Sequence, residues 1–174
     1  MGSYADDALF MSRNNIEYVE LISDDGKSKV MVIPAWQGRV MTTSAAGDEG
    51  DSYGWINYSF IKKRQIDLQF NPVGGEERFW LGPEGGVFSL YFRQGEKQIY
   101  KNWKVPPVLD IEAFKIQSQS KNCICLTKEG CLTNACGTTF YLNIKRTISL
   151  LDINEFAASF NLEFPKDIKA VAYK

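Results

Sequence analysis

Residues 138–151 read TTFYLNIKRTISLL, and their alternation decides the class of the fold. Phe140, Leu142, Ile144, Ile148 and Leu150 fall on one side of an extended chain, while Tyr141, Asn143, Lys145, Thr147 and Ser149 fall on the other. Successive side chains of a strand point to opposite faces, so a period of two predicts a long strand with one face buried. Arg146 breaks the pattern by falling on the apolar side. A charge placed there must be paired or reach a cavity, and an ion pair is the expectation.

The neighbouring stretches extend the same pattern. Asn134-Ala135-Cys136-Gly137 is a turn signal that joins this strand to one over 122–133, with another over 113–118 before it. Downstream, Asp152 fits an N-cap with Glu155 as its capping-box partner. Ile153, Phe156, Ala157 and Phe160 follow at helical spacing, predicting a short helix packed on the core. A strand over 168–173 closes the chain.

Toward the N-terminus, residues 6–14 suit a short helix, and Asp24-Asp25-Gly26 turns between strands over 17–22 and 29–33. After Pro34 a strand is expected over 36–44, with Gly38 as a bulge. The acidic, small-residue segment 45–52 is a loop, and residues 55–61 suit either a strand or the start of a short helix. Residues 87–92 alternate strictly, with Phe88, Leu90 and Phe92 on one face, and are expected to be a strand. Residues 95–107 contain Pro106-Pro107 and connect rather than pair. The sum is a mainly β chain: an antiparallel β-sandwich with one or two short helices, one domain over residues 1–174.

Composition narrows the function classes. The 174 residues are 13% aromatic, which favours strands, and the formal net charge is -1 with lysine and arginine dispersed. No basic stripe suited to nucleic acid or to an anionic membrane surface is present. No apolar run approaches the roughly 18 residues of a membrane-spanning helix. The first residues, MGSYADDALFMSRNN, lack the pattern of a signal peptide, so localisation is not legible there. Cys123, Cys125, Cys131 and Cys136 do not follow a paired zinc spacing. They read first as unpaired thiols, Cys123 and Cys125 on one strand face, with a disulfide or a metal as the alternatives.

The chain contains no histidine, which removes Ser-His-Asp and Cys-His nucleophile systems and histidine metal sites. No phosphate-binding or dinucleotide fingerprint is present, and no cofactor or metal is expected. What remains centres on residues 71–92, NPVGGEERFWLGPEGGVFSLYF. Gly74-Gly75 and Gly85-Gly86 bracket Glu76, Glu77, Arg78, Phe79 and Trp80, which suits either a shaped binding loop or a turn-rich connection with surface ion pairs. Glu76, Glu77 and Glu84 could supply acid–base groups, but adjacent Glu76 and Glu77 point to opposite faces of an extended chain. Glu76 and Arg78 would share a side and pair with each other. Aromatic rings stack on the apolar faces of sugars while charged groups bond their hydroxyls. The ligand-binding candidates are therefore Arg39, Glu76, Glu77, Arg78, Trp80 and Glu84, with Trp36 and Trp55 expected in the core.

The segments PAWQGRVMT, GWIN and GGEERFWLGPEGG, together with NWKVPPVLD, resemble a family of uncharacterised bacterial proteins, many from Bacteroidetes. That family is similar to the galactose mutarotase (aldose 1-epimerase) group. The resemblance implies a super-sandwich fold of which this chain is the N-terminal half, a carbohydrate ligand, and a periplasmic or cell-surface location. Mutarotases use a histidine acid and a carboxylate base, so no catalytic residue carries over to a chain without histidine. Two functions follow as expectations: a carbohydrate-binding or carbohydrate-modifying protein of the mutarotase-like class, or a non-catalytic structural or interaction module. Half a sandwich also leaves open edges and an apolar face, so a homodimer or a large exposed apolar patch is expected.

Overall fold

A computed structural model describes residues 2–165 and 168–174. Helix α1 spans Tyr4–Arg13, and Ser3 caps it. The Ser3 hydroxyl accepts from the Asp6 amide at 3.2 Å and the Asp6 carboxylate accepts from the Ser3 amide at 3.0 Å, a reciprocal capping box. The helix buries Tyr4, Asp7 and Met11, which recur at helical spacing on one face.

Strands β1 (Val19–Ile22), β2 (Lys29–Ile33) and β3 (Arg39–Ser44) form an antiparallel three-stranded sheet in that order. β2 is central and buried on both faces. Its Val30 and Val32 join a core shared with the second sheet, while Met31 and Ile33 face a second core with Tyr4 and Met11 of α1. The expected strand start at Trp36 is corrected. Pro34–Trp36 is a one-turn 3-10 helix, and Gln37 and Gly38 follow with φ of 66° and 61°. Left-handed residues cannot continue a strand, so β3 begins at Arg39. The expected bulge lies not at Gly38 but in the register shift between Met31 and Val32.

Residues 55–61 resolve toward the helical alternative: α2 spans Tyr58–Lys62, with the Asn57 side chain accepting from the Phe60 amide at 3.2 Å. Residues 63–114 then contain no strand, only 3-10 turns at Tyr100–Asn102 and Pro107–Leu109. The strand expected over 87–92 is therefore corrected. Its backbone partners are local or scattered. The Ser89 amide donates to Gly86, the Leu90 amide to Pro83, and the Tyr91 carbonyl accepts from Lys104. The burial does not alternate either: Phe88 is exposed, Leu90 is half-buried, and Ser89, Tyr91 and Phe92 are all buried. The alternation therefore marks no ladder, and residues from both of its faces anchor a loop.

The second sheet is antiparallel in the order β4 (Lys115–Gln119), β5 (Cys123–Thr133), β6 (Thr139–Leu151), β7 (Ala170–Tyr173). β5 and β6 pair without interruption from Cys123 opposite Ser149 to Thr133 opposite Thr139. Their turn is set by Asn134, whose side-chain oxygen accepts the Cys136 and Thr138 amides at 3.1 and 2.9 Å. Ile124, Leu126, Ile144 and Ile148 point into the core shared with Leu21, Val30, Val32 and Val40 of the first sheet.

Helix α3 (Ile153–Phe160) is capped by Asp152, whose carboxylate accepts the Asn154 and Glu155 amides. The Glu155 side chain does not complete the expected capping box, and the expectation that the helix packs into the core is wrong. No α3 residue is buried. Phe156 instead lies 5.0 Å from Phe160 and 6.1 Å from Phe164, so the apolar stripe gathers on itself. The chain is mainly β, with two antiparallel sheets and, among the described residues, three short α-helices against the one or two expected. No described helix is long and apolar enough to cross a membrane.

Candidate functional site

Three arginines come together where β3, β6 and the 71–80 loop meet. Arg146 of β6 is buried, and its Nη2 lies 2.7 Å from Glu77 Oε1. The ion pair expected of Arg146 is therefore present, and Glu77 Oε1 also accepts the Val40 amide at 3.1 Å. Arg78 pairs with Asp110 at 2.6 Å and donates to the Leu109 carbonyl at 2.9 Å. Asp110 is saturated from its other oxygen by the Asn71 amide at 3.1 Å and side chain at 2.8 Å.

Glu76 does not pair with Arg78, contrary to expectation. It accepts from the Thr43 hydroxyl at 2.8 Å and from the Tyr173 hydroxyl at 3.3 Å. The reason is geometric: the neighbours of the 76–78 strip come from β3, β6, β7 and residue 110, and each carboxylate finds its partner there before it can reach along its own chain.

Arg39 is 1% exposed. Its Nη1 donates to the Gly74 carbonyl at 2.8 Å and its Nη2 to Gln37 Oε1 at 3.1 Å. Its Nε has no partner, and no carboxylate pairs with it among the described residues. Burial, then the Arg78 charge, push the guanidinium down to about 10, with Glu77 and Asp110 opposing. Gly74 and Gly75 make this packing feasible, with φ of 98° and 113°. A Cβ would fall 2.2 Å from the Trp55 carbonyl at Gly74 and 2.7 Å from Arg39 Cδ at Gly75. The second glycine pair differs: it lies on the surface, where the Gln98 side chain clasps Gly86 N and O at 2.8 and 2.7 Å.

The aromatic groups form a separate ladder. Trp80 stacks on Tyr91 with centroids 5.1 Å apart, Tyr91 on Trp103 at 5.6 Å, and Trp103 on Tyr100 at 6.3 Å. Phe70 meets Trp80 and Trp103 edge-on, and the Arg78 guanidinium lies 4.6 Å from the Trp80 ring centre. Tyr91 is the buried anchor: it is 2% exposed and its hydroxyl donates to the Leu81 carbonyl at 2.7 Å. Burial, with Glu84 adding to it, holds that hydroxyl above the ordinary tyrosine range. Tyr100 is the open end, 77% exposed. Glu84 accepts from Trp80 Nε1 at 2.8 Å, and with Gln98, Tyr100 and Trp103 it lines a shallow depression of about 340 Å³.

The six candidate residues thus divide. Arg39, Glu76, Glu77 and Arg78 form a buried or half-buried brace, whereas Trp80 and Glu84 belong to the ladder. Neither Trp36 nor Trp55 joins it. Trp36 is half-buried against the helix-side core, and Trp55, expected in the core, is exposed. Tyr91, Tyr100, Trp103, Gln98 and Asp110 were missed, because turn-rich segments separate them and no period links them. Among the described residues no group of three or more acidic or cysteine side chains could hold a metal, and all four cysteines are unpaired.

A family model of unknown function, DUF6786, matches residues 2–174. The chain belongs to the DUF6786 family. No curated protein and no solved structure matches it. The brace and the ladder both fall within the matched DUF6786 span.

Proposed function

We propose that this DUF6786 member binds carbohydrate, as a carbohydrate-binding or carbohydrate-modifying protein of the galactose mutarotase-like class. The observation that carries this is the ladder that ends on exposed Tyr100 beside Glu84 and Gln98. Flat aromatic faces match the C–H faces of a pyranose ring, and a carboxylate and an amide at the rim match its hydroxyls. Small-molecule sites combine an apolar surface with a few placed polar groups in this way. The two antiparallel sheets, which share the larger of the two cores, support the partial super-sandwich reading. The carboxylates of the brace are all engaged by partners, which favours binding over acid–base catalysis by this chain. A glycan array followed by calorimetry tests the proposal: Tyr100→Ala abolishes binding of any glycan hit, and the absence of every hit overturns it.

A second reading is a non-catalytic structural or interaction module. The buried Arg146–Glu77 and Arg78–Asp110 pairs favour it. It predicts that Glu77→Ala and Arg78→Ala lower the melting temperature while no saccharide raises it. Exposed Phe160, on a helix with no buried residue, supports self-association in either case, and a concentration-independent monomer by light scattering would exclude it.

A further inference from the structure

Beside the ladder lies a cleft of about 520 Å³, between the loop that carries Arg93, Asn102 and Lys104 and the Thr133–Asn134 end of the β5–β6 hairpin. It shares Phe92 with the depression below Tyr100. No acidic residue lines it, although acidic residues slightly outnumber basic ones in the whole chain, 21 to 20. Arg93 and Lys104 are in no ion pair among the described residues. Asn134 also lines the cleft; its oxygen is committed to the Cys136 and Thr138 amides, and its NH2 group has no partner among the described residues. Leu90, Val105 and Leu132 supply apolar wall, and Gln94 and Thr133 add polar groups.

We infer that this cleft is an anion subsite that takes the carboxylate or sulfate of an acidic saccharide whose neighbouring ring stacks on Tyr100. The inference rests on the carbohydrate proposal above. Arg93 and Lys104, exposed at the mouth of the cleft and in no ion pair among the described residues, give it a positive field that draws an anion in. An acid forms charge-assisted bonds with an arginine and a lysine, while a neutral sugar leaves both cations without a counter-charge. The shared Phe92 puts the two depressions next to each other, so one oligosaccharide can occupy both.

The test compares acidic oligosaccharides with their carboxyl methyl esters and desulfated forms, which keep the rings and remove the charge. Glycan-array screening is followed by calorimetry at low and physiological salt. The acid binds at least about tenfold more tightly than its neutral counterpart, the order expected for one charge-assisted hydrogen bond. Arg93→Gln and Lys104→Gln each erase most of that preference, salt weakens it, and the surface control Lys145→Gln leaves it intact. Tyr100→Ala weakens acid and ester alike. Equal binding of acid and neutral forms, or a preference that survives both cleft variants, overturns the anion subsite and leaves the carbohydrate proposal standing. No binding of either form overturns both.

Discussion

Arg146 Nη2 lies 2.7 Å from Glu77 Oε1, which ties the middle of the longest strand to the glycine-flanked loop. Arg146 is buried and Glu77 half-buried, so each has lost water and depends on the other for compensation. Removing one partner of such a pair costs about 3–5 kcal/mol, because the survivor is left as an uncompensated charge. Glu77→Ala and Arg146→Ala are each expected to lower the unfolding free energy measured in urea by that order. The double change Arg146→Met with Glu77→Leu recovers most of the loss. Additive losses in the double variant would contradict the pairing.

The glycine pairs should respond in opposite ways. Gly74→Ala forces a Cβ to 2.2 Å from the Trp55 carbonyl at a φ of 98°, and loses about 2 kcal/mol or more of unfolding free energy. Gly85→Ala meets only Gln98 Oε1, at 3.9 Å, and stays within about 0.5 kcal/mol of the parent. Equal effects in chemical denaturation would refute the close packing under the first pair.

Alkaline pH probes the tyrosines. Burial, then the hydrogen bond to Asp7, push the Tyr58 hydroxyl up to about 12, and burial raises Tyr4, Tyr91 and Tyr173 as well. Below about pH 10 both folded and unfolded chains keep these protons. Above it the unfolded chain releases protons that the folded chain retains, so stability falls as pH rises toward the folded values. Tyrosinate absorbance should show delayed ionisation in the native protein. Tyr58→Phe should remove one step near pH 12 and flatten the stability loss between about pH 10 and 12.

Ligand and stability separate along the ladder. Tyr91→Phe deletes the bond to the Leu81 carbonyl and costs about 1 kcal/mol. Tyr100→Ala, at the exposed end, leaves the melting temperature unchanged while removing saccharide binding. A large thermal loss in Tyr100→Ala would show that the outer ring is structural.

The cysteines give a direct count. Four thiols react under denaturing, non-reducing conditions, and in the native state exposed Cys131 and Cys136 react ahead of buried Cys125. A count of two or none would mean disulfides.

Much of the fold is legible from local signals. The alternation of β6, the β2 boundaries at Lys29 and Ile33, the Asn134 turn and the Asp152 cap depend on contacts within a few residues. Residues 87–92 carry an equally clear alternation and are not a strand, because the Ser89 and Tyr91 carbonyls bond Ala135 and Lys104 rather than a neighbouring ladder. The α3 stripe has core periodicity, yet none of its residues is buried. At the site, Arg146 stands out as a charge on an apolar face, yet Glu77 could not be named as its partner. Glu76, Glu77 and Arg78 choose partners from β3, β6, β7 and residue 110, which only the folded chain brings near.

By itself the sequence determined the β class, most strand and turn positions, and the importance of residues 71–92, since backbone alternation, caps and turn residues act over short range. Tertiary structure alone decided that this stretch divides into a buried charge brace and an aromatic ladder. Ion pairs and ring stacks form between groups distant along the chain, and burial determines which of the available partners each charge takes.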